Sequence, residues 1–149
     1  MATQRPFWQT KDFAAMTKAE WESLCDGCGR CCLVKYQDER SNDTYYTSIA
    51  CRYLQSSNCR CQVYHCRSQK VADCIPLPQD RQAILAMDWL PTSCAYRLLA
   101  EKKSLAHWHP LVCGNAHSVQ KAGISMAGKT VSEQRIKSQH WYKYIIARC

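Results

Sequence analysis

Cys25, Cys28, Cys31 and Cys32 stand in the run CDGCGRCC, four thiols within eight residues of a 149-residue chain that holds twelve cysteines. A thiolate is a soft ligand, and thiols at this density suit zinc, iron or an iron–sulfur cluster better than they suit ordinary packing. A C-x-x-C pair lets both sulfurs reach one ion across a tight turn, and a second pair completes a tetrahedron. Here the first three ligands have the spacing that opens a bacterial ferredoxin run, but the fourth follows at once and no Cys-Pro comes after it. Neighbouring side chains of an extended segment point apart, so Cys31 and Cys32 are expected to face different ways. One of them then reaches toward ligands from a second group, the segment that carries Cys51, Cys59, Cys61, Cys66 and Cys74, with Cys94 as a further candidate.

The competing reading is a set of buried free thiols that act as small hydrophobes. It suits isolated Cys113 and Cys149. It suits CDGCGRCC poorly, because Asp26, Gly27, Gly29 and Arg30 between the thiols are not core-forming residues. Arg30 is expected to stabilise thiolates electrostatically.

Cysteine usage of this order is also met in secreted disulfide scaffolds. The opening MATQRPFWQTKDF has no apolar core of signal-peptide length, since Lys11 and Asp12 interrupt it. No apolar run approaches the roughly 18 residues of a membrane span. A cytoplasmic chain with reduced thiols is therefore expected, its clustered cysteines serving as metal ligands or redox groups.

The net charge of +8 is uneven, because residues 102–149 hold eight Lys and Arg against Glu133 alone. The basic C-terminal segment, about 118–149, offers a surface to an anionic partner, either nucleic acid or an anionic membrane. No recognised nucleic-acid module accompanies the charge. The favoured reading is therefore a last helix, capped by Ser132, that docks through Trp141, Tyr144 and Ile145.

Positioning these groups falls to short elements. Thr17 with Glu20 forms a capping box, and Met16 with Trp21 fits the hydrophobic staple around it, which predicts a helix over 18–24 that delivers Cys25 to the cluster. Gly27 and Gly29 let the following backbone curl. Tyr45 to Ala50 reads as a strand, and residues 79–89 have helical spacing that ends at Pro91. Thr92 or Ser93 is placed to cap a helix over 94–101, and a strand is expected near Ile124–Met126. Five Trp and eight Tyr stand where aliphatic residues are sparse, so packing leans on aromatics. The sum is one α+β domain over 1–149, mainly short helices with a few short strands, around an irregular cysteine-rich core organised by metal.

Two weaker motifs compete for attention. Residues Gly123 to Thr130, GISMAGKT, match the phosphate-binding loop expression. The mechanism also needs a buried strand before and a helix directly after, and residues 117–122 are too polar for that strand, so nucleotide binding is not expected. His107 and His109 flank Trp108 and read as a packed turn beside Pro110 rather than as ligands.

CDGCGRCC, ACRYL at 50–54, NCRCQVY at 58–64, DC at 73–74, WLPTSCAYRLL at 89–99 and WHPL at 108–111 together resemble the YcgN-like bacterial cysteine-cluster proteins. These belong to the wider CxxCxxCC group, described as zinc- or iron-chelating. The resemblance spans about residues 21–133. It implies a cytoplasmic metal-binding protein with Cys25, Cys28, Cys31, Cys32, Cys51, Cys61 and Cys74 as ligands, joined by Cys59 and Cys94. Cys66 sits where the wider group often has another residue. Three function classes stay open: a metal-binding protein with iron, an iron–sulfur cluster or zinc; a redox or protein-modification enzyme that uses the cluster; and a basic interaction module held together by zinc.

Overall fold

Thr17 Oγ1 accepts from the Glu20 amide while the Glu20 carboxylate accepts from the Thr17 amide, so the expected capping box is present. In the computed structural model, which describes residues 4–71, 81 and 90–148, this box starts helix α2, Lys18–Ser23. A short helix α1, Phe7–Thr10, and a 3-10 turn, Phe13–Ala15, precede it. The helix buries Trp21 completely, and Met16, Leu24, Leu90, Ala95 and Tyr96 close around the indole. Phe13 meets the indole edge-on at 4.9 Å, and the Tyr96 ring lies 4.7 Å away on helix α4, Ala95–Ala100. Aromatics thus fill this layer, as their share of the composition requires.

The second layer is a sheet. Strand β1, Leu33–Gln37, pairs antiparallel with β2, Thr44–Ala50, whose other side carries β6, Ile145–Arg148, antiparallel and β5, Val131–Ser132, parallel. The register shifts between Leu33 and Lys35, and buried Thr47 fills the gap. Its hydroxyl donates to the Val34 carbonyl at 2.9 Å and accepts from the Ile49 amide at 3.1 Å. Such a bulge bends the strand without leaving buried polar groups unpaired. A separate hairpin, β3, Leu54–Gln55, with β4, Arg60–Cys61, follows, and then a short helix α3, Arg67–Lys70. Leu33, Tyr46, Ala50, Leu54, Cys59 and Met126 form the core between sheet and hairpin.

The architecture is mixed α+β with short elements, as expected. Several boundaries differ. Helix α4 is capped by the backbone of Cys94, not by the Thr92 or Ser93 side chain. Residues 124–126 form no strand; the Met126 amide instead donates to the Cys28 carbonyl at 2.9 Å and ties this segment to the cysteine loop. Ser132 ends β5 and caps no helix. The aromatic run beyond it is a 3-10 helix, Ser138–Tyr144, that passes directly into β6, because β2 offers an open strand edge to Ile145–Arg148. A strand likewise follows Thr130, where a phosphate-binding loop requires a helix. Cys74, Cys149 and, apart from Arg81, the segment 79–89 lie outside the described residues.

Candidate metal centre

The CDGCGRCC loop joins the two layers. Leu24, immediately before it, belongs to the aromatic core, and Leu33, immediately after it, belongs to the sheet core. Both ends are therefore pinned by burial, and the thiols between them are held where the layers meet. The aromatic side is fixed further by hydrogen bonds. Tyr96 Oη donates to the Trp21 carbonyl at 2.7 Å, and fully buried His109 lies with Nε2 2.8 Å from the Leu24 carbonyl. Because the Leu111 amide donates to His109 Nδ1 at 3.1 Å, the ring proton sits on Nε2 and is given to Leu24. His109 thus opens helix α5, Pro110–Cys113, and holds the residue before Cys25. Its expected role as a packed turn residue holds.

Within the loop, the Asp26 carboxylate accepts from the Cys28 amide through Oδ1 at 3.0 Å, and Gly29 takes a left-handed turn at φ +81°. Residues Arg30–Cys32 then form a single 3-10 turn. This turn overrides the expected divergence of Cys31 and Cys32. The segment is not extended, so the two side chains do not alternate. Their thiols share a hydrogen bond and both face one cavity.

That cavity has a volume of about 750 Å³, and its lining includes Cys25, Cys31, Cys32, Cys51, Cys59 and Cys61. The second group arrives there by sheet and hairpin pairing. The Cys51 amide donates to the Cys32 carbonyl at 2.9 Å, which sets the first cysteine after β2 beside the last cysteine of the loop. The Leu54 amide donates to the Cys51 carbonyl at 2.9 Å, and Leu54 pairs with Cys61 across the hairpin. Cys59 occupies the hairpin turn with φ +57°, a left-handed conformation that costs a non-glycine residue about 1–2 kcal/mol. A glycine would sit there without strain, so the retained cysteine points to a use for its sulfur. Cys28 is buried behind the loop, and Cys94 lies near enough to Cys25 for the two charges to interact.

Electrostatics divide the thiols. Cys25 is exposed at the surface, yet the protein atoms crowded around its sulfur push the thiol up to about 12, with the neighbouring Cys31 adding to the shift, and burial raises Cys94 to about 11. Burial also raises Cys28 and Cys59. Cys31 goes the other way, to about 7: the Cys32 thiol donates to its sulfur, and the Lys35 ammonium adds a favourable charge. The same hydrogen bond, reinforced by burial, drives Cys32 well upward. Lys35 is held in place by the Arg30 and Leu33 carbonyls, each at 3.0 Å. It fills the part expected of Arg30, whose Nε donates to the Ile124 carbonyl at 3.0 Å and whose guanidinium lies over the Tyr46 ring. Sequence reading missed Lys35; its i+4 spacing from Cys31 across the turn is the signal that marks it.

Among the described residues, no three His, Cys, Asp or Glu side chains already converge at ligand distance on one point. The donor types nonetheless suit a soft metal: six cysteines line one cavity, and Asp26, within the same loop, has a buried Oδ2 with no hydrogen-bond partner, a negative group suited by a nearby cation. Cys66 is half-buried and does not line the cavity. Cys113, expected to be a buried thiol, is exposed on α5, where its sulfur donates to the Trp108 carbonyl at 3.4 Å.

No protein-family model matches the chain, and no solved structure matches it. Curated bacterial relatives do. The chain is 52% identical over 135 residues to a UPF0260 protein of Gluconacetobacter diazotrophicus, covering 91% of this chain and 83% of the relative. It is 47% identical over 146 residues to a UPF0260 protein of Marinobacter nauticus, covering 98% and 97% of the two chains. A UPF0260 protein of Azotobacter vinelandii is 46% identical over 147 residues, covering 99% and 97%. Identity at this level over nearly the whole length places the chain in a bacterial family, consistent with the YcgN-like resemblance: it belongs to the UPF0260 family.

Proposed function

We propose that this chain is a cytoplasmic metal-binding protein whose clustered thiolates hold iron in an iron–sulfur centre, with zinc as the alternative metal. Cys25, Cys28, Cys31 and Cys32 supply one part of the ligand set. Cys51, Cys59 and Cys61 supply the other, with Cys74 and Cys94 as the remaining candidates. The observation that carries this reading is that six cysteines, from two stretches separated by the whole β1–β2 hairpin, line one cavity. Hydrophobic packing gives no reason for such a meeting, since sulfur packs as well against any apolar neighbour. More than four sulfurs favour a cluster or a second site over one zinc ion.

Bound metal draws the thiols together and deprotonates them, so part of its binding free energy becomes folding free energy. An iron–sulfur centre supplies one-electron chemistry, and bound zinc supplies structural cross-linking. The reduced thiols this requires are those of a cytoplasmic compartment. A cluster-dependent redox or modification enzyme is the second reading, favoured by the space that the cavity leaves beside any metal. A tetrahedral thiolate site with bonds of about 2.3 Å encloses only roughly 50 Å³. The third reading is a zinc-stabilised basic interaction module, favoured by the positive C-terminal third.

Anaerobic purification followed by an absorption spectrum tests the proposal. Brown protein with visible absorption that dithionite bleaches supports the iron–sulfur reading. Colourless protein with stoichiometric zinc, unfolded by a strong chelator, supports the zinc reading. Colourless, metal-free protein with intact disulfides overturns both.

A further inference from the structure

Residues 138–148 present an outward surface that the cysteine site does not use. In the 3-10 helix Ser138–Tyr144 the repeat is three residues, so Trp141 and Tyr144 share one face, and both are half-buried. Trp141 Nε1 donates to the Ile136 carbonyl at 2.8 Å, which pins that face inward. The other faces carry His140, Tyr142 and Lys143 outward. Tyr142 is 57% exposed, and the β6 residues Ile145 and Ile146 are 42% and 50% exposed. These side chains are the bulk of the large exposed apolar residues among the described positions, and they lie within five residues of one another.

The charge along the adjoining chain is one-sided. Arg135, Lys137 and Lys143 are exposed and form no ion pair among the described residues. Glu133, the sole carboxylate of residues 102–149, is engaged by Arg52 at 2.8 Å. Asp43, beside the end of β6, is engaged by Arg148 at 2.7 Å. A second copy of the chain would bring this same positive charge against itself, which opposes self-association through this face. Nucleic acid would meet the charge and find one ring to stack on in Tyr142, but Ile145 and Ile146, the other two exposed side chains, give bases no plane. An anionic lipid surface meets both properties, since its headgroups attract the basic residues and its interfacial region accepts Tyr and Ile side chains.

We infer that Tyr142, Ile145 and Ile146, flanked by Arg135, Lys137 and Lys143, form a docking surface for the anionic face of a lipid bilayer. The chain then binds peripherally, inserting these side chains into the headgroup boundary; among the described residues no helix is long and apolar enough to cross a membrane. This inference is independent of the metal.

Co-sedimentation of the full-length, metal-replete protein with phosphatidylcholine vesicles, with and without phosphatidylserine, tests it. Binding is expected only with phosphatidylserine and is expected to weaken as salt rises. The Lys137→Gln/Lys143→Gln double variant should bind about thirty-fold more weakly, from about 1 kcal/mol per basic residue near the surface. Ile146→Ser should weaken binding at every salt concentration while metal content and the thermal transition stay unchanged. Equal binding to both vesicle types, no binding to either, or insensitivity to these variants would overturn the inference. So would tighter binding to a single-stranded oligonucleotide through the same residues, or a concentration-dependent dimer that Ile146→Ser abolishes.

Discussion

Gly29 and Cys59 lie in contact across the two cysteine groups, so closely that a Cβ built on Gly29 would stand 2.8 Å from Cys59 Sγ and 2.9 Å from Cys59 Cβ. Both residues take left-handed backbone conformations. Each turn therefore fits against the other only because one of the pair lacks a side chain. This contact sets the distance between CDGCGRCC and the β3–β4 hairpin, and with it the width of the thiol-lined cavity.

Gly29→Ala is consequently expected to do two kinds of damage. The left-handed φ costs alanine about 1–2 kcal/mol, and the clash with Cys59 adds about 1–3 kcal/mol of overpacking. Chemical denaturation of the purified variant should show a loss of about 2–5 kcal/mol, and metal content should fall with it. Gly27→Ala provides the control, since its Cβ would meet nothing within 4 Å and only the φ of +72° opposes it. Equal stability of the two variants would show that the contact does not hold the groups in register.

The thiols of metal-free protein should react in an order that the electrostatics dictate. Cys31 sits at about 7, so its alkylation by iodoacetamide should rise through a midpoint near that pH, with Cys25 protected until far above it. Peptide mass spectrometry after short pulses at increasing pH reads this directly.

Stability of the same metal-free protein carries opposite signs from these two groups. A depressed thiol such as Cys31 ionises more readily when folded, so its contribution is present above about 9 and is lost as pH falls through about 7. The raised thiols Cys25 and Cys94 resist ionisation when folded, so their contribution is full below about 9 and declines as pH rises toward 11 and 12. Denaturation midpoints across this range should therefore fall on the alkaline side, where the raised thiols dominate. A midpoint that climbs steadily above pH 9 would contradict the assignment.

Hydrogen bonds to the chain before Cys25 should matter for stability and for the site separately. Tyr96→Phe leaves the Trp21 carbonyl with only the longer bond from the Leu24 amide, at 3.3 Å, and should cost about 0.5–1.5 kcal/mol, with metal retained because the phenyl ring still packs on the indole. His109→Leu removes the partners of both the Leu24 carbonyl and the Leu111 amide, and should cost about 2–5 kcal/mol. Urea titration ranks the two, and the reverse order would contradict the role given to His109.

What the sequence disclosed depended on how local the cause was. The Thr17–Glu20 box and the Met16–Trp21 pair are short-range signals, and helix α2 starts where they put it. Strand β2 was legible from Tyr45 to Ala50 because Tyr, Thr and Ile favour an extended, half-buried backbone. Strands β5 and β6 were not legible, since each exists only by pairing with β2, a partner more than eighty residues away. The meeting of Cys51, Cys59 and Cys61 with Cys25, Cys31 and Cys32 was legible as chemistry, because that many thiols call for a common use. Their grouping was not, because the 3-10 turn at Arg30–Cys32 reversed the expected side-chain directions. Lys35 escaped notice for a related reason: its effect on Cys31 depends on the turn that brings the two together.

Metal content tests the central claim most directly. Elemental analysis of the full-length chain purified without oxygen should find iron or zinc in stoichiometric amount. Cys61→Ser, which removes a thiol from the cavity, should lower that amount, while Cys113→Ser, which alters an exposed thiol away from it, should leave it unchanged. A chain that carries no metal, or variants that retain it equally, would contradict a metal centre built from these cysteines.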